Sequence, residues 1–454
     1  MFLFTLLLHI IKMKNITLIG GGLSGSLMAI YLAKRGFNVD VYERRPDPRV
    51  ANAYQGKSIN LALSNRGIEA LKKVGLDDAI LKTAIPMSGR MMHSKSGELS
   101  YQPYGKDGQA INSVSRGGLN IRLLELADEF DNIKLHFEQR CVGLDAEFKN
   151  AVFEDQNGNR TNVDSDIFIG SDGAFAATRL QIQLTQRFDY NQDFENYGYK
   201  ELHIPPAPSG EFALDKNALH IWPRGKFMMI ALPNVDKSFT CTLFFPYEGE
   251  LSFESINTTE KAEEFFQTYF ADVIPMMPDY NSTYLNNPIG GLVTVKCFPW
   301  VYKDKLALIG DAAHAIIPFY GQGMNCSFED CIVLDECIEK YGDDWTTIFA
   351  TYQELRKPNA DAIADLAKQN FIEMRDKVGD LTFLHRKQVE NDLVKYYGDF
   401  FKSQYELVSF STQPYAYARA QGKINDTILD MLIKNNIEVK PNDDRILEIL
   451  KASK

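Results

Sequence analysis

The chain has 454 residues, enough for two to three domains at roughly 100–200 residues each and for a sizeable buried core. A formal net charge of −11 argues against a nucleic-acid partner, which needs a basic face. The six cysteines, Cys141, Cys241, Cys297, Cys326, Cys331 and Cys337, form no CxxC pair, so they read as reduced thiols, with neither a disulfide framework nor a metal site expected.

The run Met1 to Ile11 is apolar but shorter than the ~20 residues a bilayer span requires, and it lacks the basic start and small-residue cleavage site of a signal peptide. Met13-Lys14 reads as the natural start, leaving residues 1–12 as an extension without a structural role. Ile16 to Gly20 is a buried strand, followed by a glycine turn, a helix ending near Gly36 and a strand from Asn38 to Tyr42, the opening of a βαβ unit. Residues 65–82 predict a helix, Leu119 to Phe130 another, and Ile133 to Glu138 a strand. Ala151 to Glu154 and Thr161 to Val163 pair as a polar hairpin, and Asp166 to Gly170 returns as a buried strand.

Between 185 and 295 the chain turns rich in aromatic residues and proline and carries two β-like runs, Lys226 to Leu232 and Ser238 to Phe245. Leu306 to Gly310 is again a buried strand, a helix follows from about Gly323, and from about 345 the chain is helical and charged. The class is therefore α/β: a discontinuous Rossmann-type domain (13–184 and 296–345), an inserted mainly β domain (185–295) and a C-terminal helical region (346–454). Residues 415–454 are largely polar, so a soluble, cytoplasmic protein without a membrane anchor is expected.

Gly20-Gly21-Gly22-Leu23-Ser24-Gly25 fits GxGxxG between a strand and a helix. Gly20 permits the tight turn, Gly22 lets backbone approach a pyrophosphate, and Gly25 lets helix and strand pack closely. The helix N-terminus offers unpaired N–H groups to phosphates, and Glu43, ending the next strand, is placed to accept hydrogen bonds from ribose. Two further buried strands run into acids, Ile167–Gly170 into Asp172-Gly173 and Leu306–Gly310 into Asp311. Such an acid binds a polyol or caps a helix, and the pattern alone leaves both readings open. No second GxGxxG occurs, so no permanent nicotinamide-nucleotide domain is expected.

Together the three segments resemble the single-component FAD-dependent aromatic hydroxylases. The resemblance narrows on the strings Lys57–Arg66, Ile85–His93, Ser113–Arg116, His220–Arg224, Phe227–Pro233, Ser238–Phe244, Gly310–Asn325 and Asn370–Arg375, which are similar, from about residue 14 to about 415, to the members acting on kynurenine. It implies that FAD, bound tightly but not covalently, is contacted by Ser24, Tyr42, Glu43, Arg44, Arg45, Ala62, Arg116, Cys141, Asp172, Asp311, Met324 and Asn325 besides the glycine turn. It implies kynurenine contacts at Arg90, Tyr104, Asn370 and Tyr405, with residues 85–105 facing the substrate and Glu373, one helical turn from Asn370, in support.

An arginine and a tyrosine suit the substrate carboxylate, and the ring needs an apolar slot. Met228, Ile230 and Leu232 alternate onto one strand face and, with Phe244, Pro318 and Phe319, are candidate walls; plain core is the other reading of the stripe. The implied activity is NADPH- and O2-dependent hydroxylation of L-kynurenine to 3-hydroxy-L-kynurenine in tryptophan degradation. NADPH visits only transiently, and a C4a-hydroperoxyflavin does the chemistry, so no side chain is assigned as catalytic. Hydroxylation of another aromatic acid or a quinolone is the alternative, and a non-catalytic flavin-binding protein a further one. His314, beside Asp311, is read as structural. The chain departs from the family pattern at Cys326-Ser327, where smaller residues are usual.

Overall fold

A computed structural model describes residues 14–50, 60–105, 108–376 and 381–453; the apolar run at 1–11 and residues 57–59 of the first string lie outside them. The buried runs near the start of the chain assemble a six-stranded sheet in the order Val301–Tyr302, Leu306–Leu308, Ile167–Gly170, Asn15–Ile19, Asn38–Tyr42, Ile133–His136. All its neighbours are parallel except the Val301–Tyr302 edge. Such a sheet is covered on both faces, so its strands read as continuous apolar runs. Ile16, Leu18, Phe168, Ile169, Leu306 and Leu308 are fully buried beneath the helices Leu23–Lys34 and Gly323–Tyr341.

The predicted helix over 65–82 is two helices, Asn65–Lys72 and Asp77–Thr83, because Gly75 adopts a positive φ of 74° between them. The second large sheet has seven strands, in the order Gly290–Phe298, Asp189–Ile204, Phe239–Pro246, Met228–Pro233, Ala218–Pro223, Gly89–His93, Leu99–Pro103. The 16-residue Asp189–Ile204 strand carries no clean alternation and escaped the sequence reading, as did the helix Thr259–Tyr269. The C-terminal region is helical as expected, with helices Trp345–Asp376, Leu381–Tyr397, Gln404–Ser409, Tyr415–Lys434 and Asp444–Ala452. No helix among the described residues is long and apolar enough to cross a membrane.

The seven-stranded sheet has two chemically different faces. Met229 and Ala231 point to an aromatic core with Phe227, Phe245, Phe265 and Phe270, while Met228, Ile230 and Leu232 point the other way. On the aromatic side, Gly89–His93 and Ala218–Pro223 run parallel and are joined by His93 Nε2 and His220 Nδ1, 2.9 Å apart. His220 Nε2 faces the Asp215 carbonyl at 2.8 Å and must donate to it, so His220 Nδ1 accepts and His93 Nε2 donates.

Burial holds the His220 imidazole neutral, with its pKa depressed from 6.5 to about 4. In that window the unfolded chain binds a proton that the folded chain does not, so stability falls as pH drops from about 6.5 to about 4. His220 should contribute a loss on the order of 3 kcal/mol. Urea melts at stepped pH should give a flatter profile for His220→Asn, and an unchanged slope would remove His220 as the cause.

Candidate active site

Between the two sheets lies a cavity of about 680 Å³, within the range of roughly 300–1,000 Å³ usual for small-molecule sites. One end is the glycine turn. Gly20 has φ 110°, and a Cβ there would stand 2.4 Å from the Ser171 carbonyl oxygen; one on Gly25 would stand 1.9 Å from the Gly20 carbonyl oxygen. A Cβ on Gly22 would meet nothing, since that residue opens onto the cavity. Gly22 also caps the helix Leu23–Lys34 without a side-chain bond, and no acid occupies the first turn, so the helix N-terminus is free for an anion.

Glu43 lines this end, yet its carboxylate is already engaged. It accepts from Gly21 N at 2.9 Å and from Arg45 N and Nε at 3.0 and 2.8 Å. Burial opposes its charge, but Arg45 and the Gly21 amide prevail and lower its pKa. Glu43 thus fastens the glycine turn to the end of the second strand. Tyr42 lies between His136 and Phe153, with ring centroids 4.4 and 3.9 Å away, and Arg44, Arg45 and Cys141 complete the rim. Burial pushes the Cys141 thiol up to about 12, so it is protonated.

The two acids at strand ends separate. Asp172 accepts from Thr178 Oγ1 at 2.6 Å and Thr178 N at 3.1 Å, so it satisfies an amide in the first turn of the helix Ala177–Gln183, whose N-cap is Ala176, while still facing the cavity. Asp311 has no protein hydrogen bond among the described residues; its carboxylate is exposed to the cavity although protein surrounds it. Burial raises its pKa, with Arg116 and His314 opposing. Ser24, Ala62, Arg116 and Met324 also line the wall.

Asn325 does not reach the wall. Its amide donates to the carbonyls of Ala62 at 2.8 Å and Gly321 at 3.0 Å and accepts from Ser64 N at 3.0 Å, which holds two wall segments together. His314 is buried behind the wall, against Asp330 at 2.5 Å; Asp330 also accepts from Gly310 N at 2.9 Å and Arg356 Nε at 2.8 Å. Burial disfavours the imidazolium, but the Asp330 carboxylate outweighs it and raises the His314 pKa well above its usual value. A cation fixed behind Asp311 fits structure better than proton abstraction. Cys326 packs in the same group, with Sγ 3.9 Å from His314 Nδ1.

The far end of the cavity is different. Arg90 enters from the Gly89–His93 strand, its guanidinium 5.5 Å from the Tyr104 ring centroid and 5.1 Å from that of Tyr405; the two rings stack at 5.0 Å. Arg90 Nε and the Tyr104 hydroxyl are buried without a well-formed hydrogen bond, and no carboxylate lies within ion-pair distance of Arg90 among the described residues. Buried charges are ordinarily paired, so this end is built for an anion that enters from outside. Beside it Met228, Ile230, Leu232, Phe244, Pro318 and Phe319 form an apolar wall, and Met228, Phe244 and Phe319 pack at the same time in a core cluster with Ile317 and Phe371.

Asn370 and Glu373 are not brought to the wall. Asn370 Nδ2 donates to the Phe319 carbonyl at 2.5 Å, and Met374 from the same helix lines the cavity in their place. Tyr320 also reaches the wall, its ring 5.7 Å from Tyr405. The sequence reading missed it, although the Gly310–Asn325 string contains it.

A free helix N-terminus, an open glycine and an unpartnered carboxylate along one cavity fit a dinucleotide with a polyol chain. A model of the FAD binding domain matches residues 13–367. The fold is similar to the tetrameric form of 2-methyl-3-hydroxypyridine-5-carboxylic acid oxygenase (TM-score 0.67, 18% identity, 81% of this chain and 94% of that one). It is also similar to Pseudomonas aeruginosa PqsL in complex with 2-aminobenzoylacetate (TM-score 0.64, 19% identity, 80% and 97%). Fold and site define an FAD-dependent monooxygenase with mixed α/β sheets and a C-terminal helical region. Among curated proteins, kynurenine 3-monooxygenases are similar over nearly the whole length: that of Dictyostelium discoideum is 48% identical (94% of this chain, 95% of the relative), that of Flavobacterium johnsoniae 48% (96% and 98%), and that of Myxococcus xanthus 48% (93% and 91%). The chain belongs to the kynurenine 3-monooxygenase family.

Proposed function

We propose that the chain hydroxylates L-kynurenine to 3-hydroxy-L-kynurenine, consuming NADPH and O2, with FAD resident between the two sheets. The observation that carries this is Arg90: a half-buried arginine lining the cavity, its Nε buried, with no carboxylate at ion-pair distance among the described residues, flanked by two tyrosines, at the end of an apolar slot. An amino acid with an aryl ketone side chain supplies both what the arginine lacks and what the slot accepts. FAD would be held by Gly22, Ser24 and Asp311 and would supply the oxygen-activating chemistry when bound. The protein's part is to clamp the carboxylate at Arg90 and Tyr104, to lay the ring against Met228, Ile230, Leu232 and Phe244, and to exclude water. Residues 13–184 and 296–345 would carry the FAD-binding segments and 185–295 the β-sheet substrate domain, to whose seven-stranded sheet the substrate-facing segment 85–105 adds Gly89–His93 and Leu99–Pro103.

The test is direct. Purified yellow protein, given NADPH and L-kynurenine in air, should oxidise NADPH faster than without kynurenine and yield a product heavier by one oxygen atom. Stimulation by a different aromatic acid or a quinolone, and none by kynurenine, would move the chain to another substrate.

A further inference from the structure

We propose that Arg66 is a positioning residue for the substrate end of the site, holding the short helix Gln404–Ser409 so that Tyr405 stays stacked beside Arg90. Arg66 is 1% exposed and sits far from the apolar slot, at the start of the Asn65–Lys72 helix. Its Nε donates to the Val408 carbonyl at 3.3 Å, and its Nη2 to the carbonyls of Leu407, at 3.5 Å, and Gln413. Its Nη1 pairs with Glu329 at 2.6 Å, and its guanidinium lies 3.8 Å from the Tyr415 ring centroid.

Leu407 and Val408 belong to the last turn of the helix that carries Tyr405, where carbonyls have no partner within the helix and a cation is favoured. A helix of 6 residues has little stability of its own, so its place is set by the packing of Leu407 and Val408 into the core and by what grips its ends. The preceding residue repeats the grip, since Asn65 Nδ2 donates to the Phe410 carbonyl at 3.0 Å.

The anchor is tied to the FAD side of the cavity. Ser64 N donates to Asn325 Oδ1 at 3.0 Å, and Asn325 holds Ala62 and Gly321 on the wall. One short segment therefore fixes both the wall opposite the glycine turn and the helix bearing Tyr405. The mechanism is geometric: if the Gln404–Ser409 helix drifts, Tyr405 leaves the Arg90–Tyr104 stack and the carboxylate clamp loosens. This inference rests on the reading of the Arg90 end as the carboxylate site.

The experiment uses the FAD-loaded protein. Arg66→Lys keeps the charge at Glu329 but cannot span three carbonyls; Arg66→Met removes both, and the lysine variant carries the test should the methionine variant lose its fold. Kynurenine KM should rise on the order of tenfold in Arg66→Lys, with kcat within about twofold and FAD content unchanged. Amides of residues 406–410 should exchange hydrogen faster, a readout that needs no substrate. In a Tyr405→Ala background the same substitution should change KM little, because the two act through one contact. Wild-type turnover of kynurenine in the same assay reports on the functional reading by itself. Unaltered exchange at 406–410, or KM effects of Arg66→Lys and Tyr405→Ala that multiply in full, would overturn the assignment.

Discussion

Arg90→Ala is expected to raise the kynurenine KM by a hundredfold or more while the protein keeps its FAD. The wild-type arginine is enclosed by the cavity wall, has no carboxylate at ion-pair distance among the described residues, and lies beside the rings of Tyr104 and Tyr405. A carboxylate that binds there leaves water and is compensated by a charge-assisted, two-pronged contact. Removing one partner of such a buried pair costs roughly 3–5 kcal/mol, and every 1.4 kcal/mol or so is tenfold in affinity. Arg90→Lys should recover part of the loss, because an ammonium restores the charge but not the planar fork. The glycine turn and Asp311 lie at the other side of the cavity, so bound flavin measured by absorbance should match wild type. Steady-state KM and flavin content of both variants check this; an Arg90→Ala enzyme with unchanged KM would take Arg90 out of the site and with it the main support for a carboxylate substrate.

Local patterns made the FAD side of the molecule legible. Short buried strands alternate with helices, and the GxGxxG turn falls between Asn15–Ile19 and Leu23–Lys34, as its spacing predicts. The alternation of Met228, Ile230 and Leu232 gave a shared face, but only packing shows that this face lines a cavity while Met229 and Ala231 enter the aromatic core. Asn370 was attached to the substrate through a resemblance; in the fold its Nδ2 donates to the Phe319 carbonyl, behind the wall that Phe319 forms. The buried arginines Arg179 and Arg356 left no trace in the sequence, and Arg66 appeared only as the last residue of the Lys57–Arg66 string, without a role. Each bonds carbonyls or acids far away along the chain, as when Arg66 reaches Leu407 and Val408 and Arg179 reaches Ala312, and such partners have no periodicity to read. Glu43 carried a signal for ribose, but its carboxylate is engaged by Gly21 and Arg45, so the same spacing also serves to hold the turn.

Two glycines of one motif should fail in opposite ways. Gly22→Val is expected to give a folded protein that has lost its FAD, whereas Gly25→Val should fail to fold. At Gly22 the backbone is extended, with φ −74° and ψ −172°, which valine adopts without strain, and a Cβ there touches nothing in the protein. The new isopropyl group therefore occupies the mouth of the helix N-terminus, where a pyrophosphate would need the backbone amides. At Gly25 a Cβ would sit 1.9 Å from the Gly20 carbonyl oxygen and 2.6 Å from Ser171 Oγ, so the helix could not pack on the strand beneath it. Overpacking a core by a few methylenes costs about 1–3 kcal/mol, and a backbone clash at this distance in the central strand crossing exceeds what a small margin of stability absorbs. Circular dichroism and flavin absorbance on both variants separate the cases. A yellow, fully loaded Gly22→Val protein would place the pyrophosphate elsewhere, and a folded Gly25→Val protein would show that the helix can shift away from the strand.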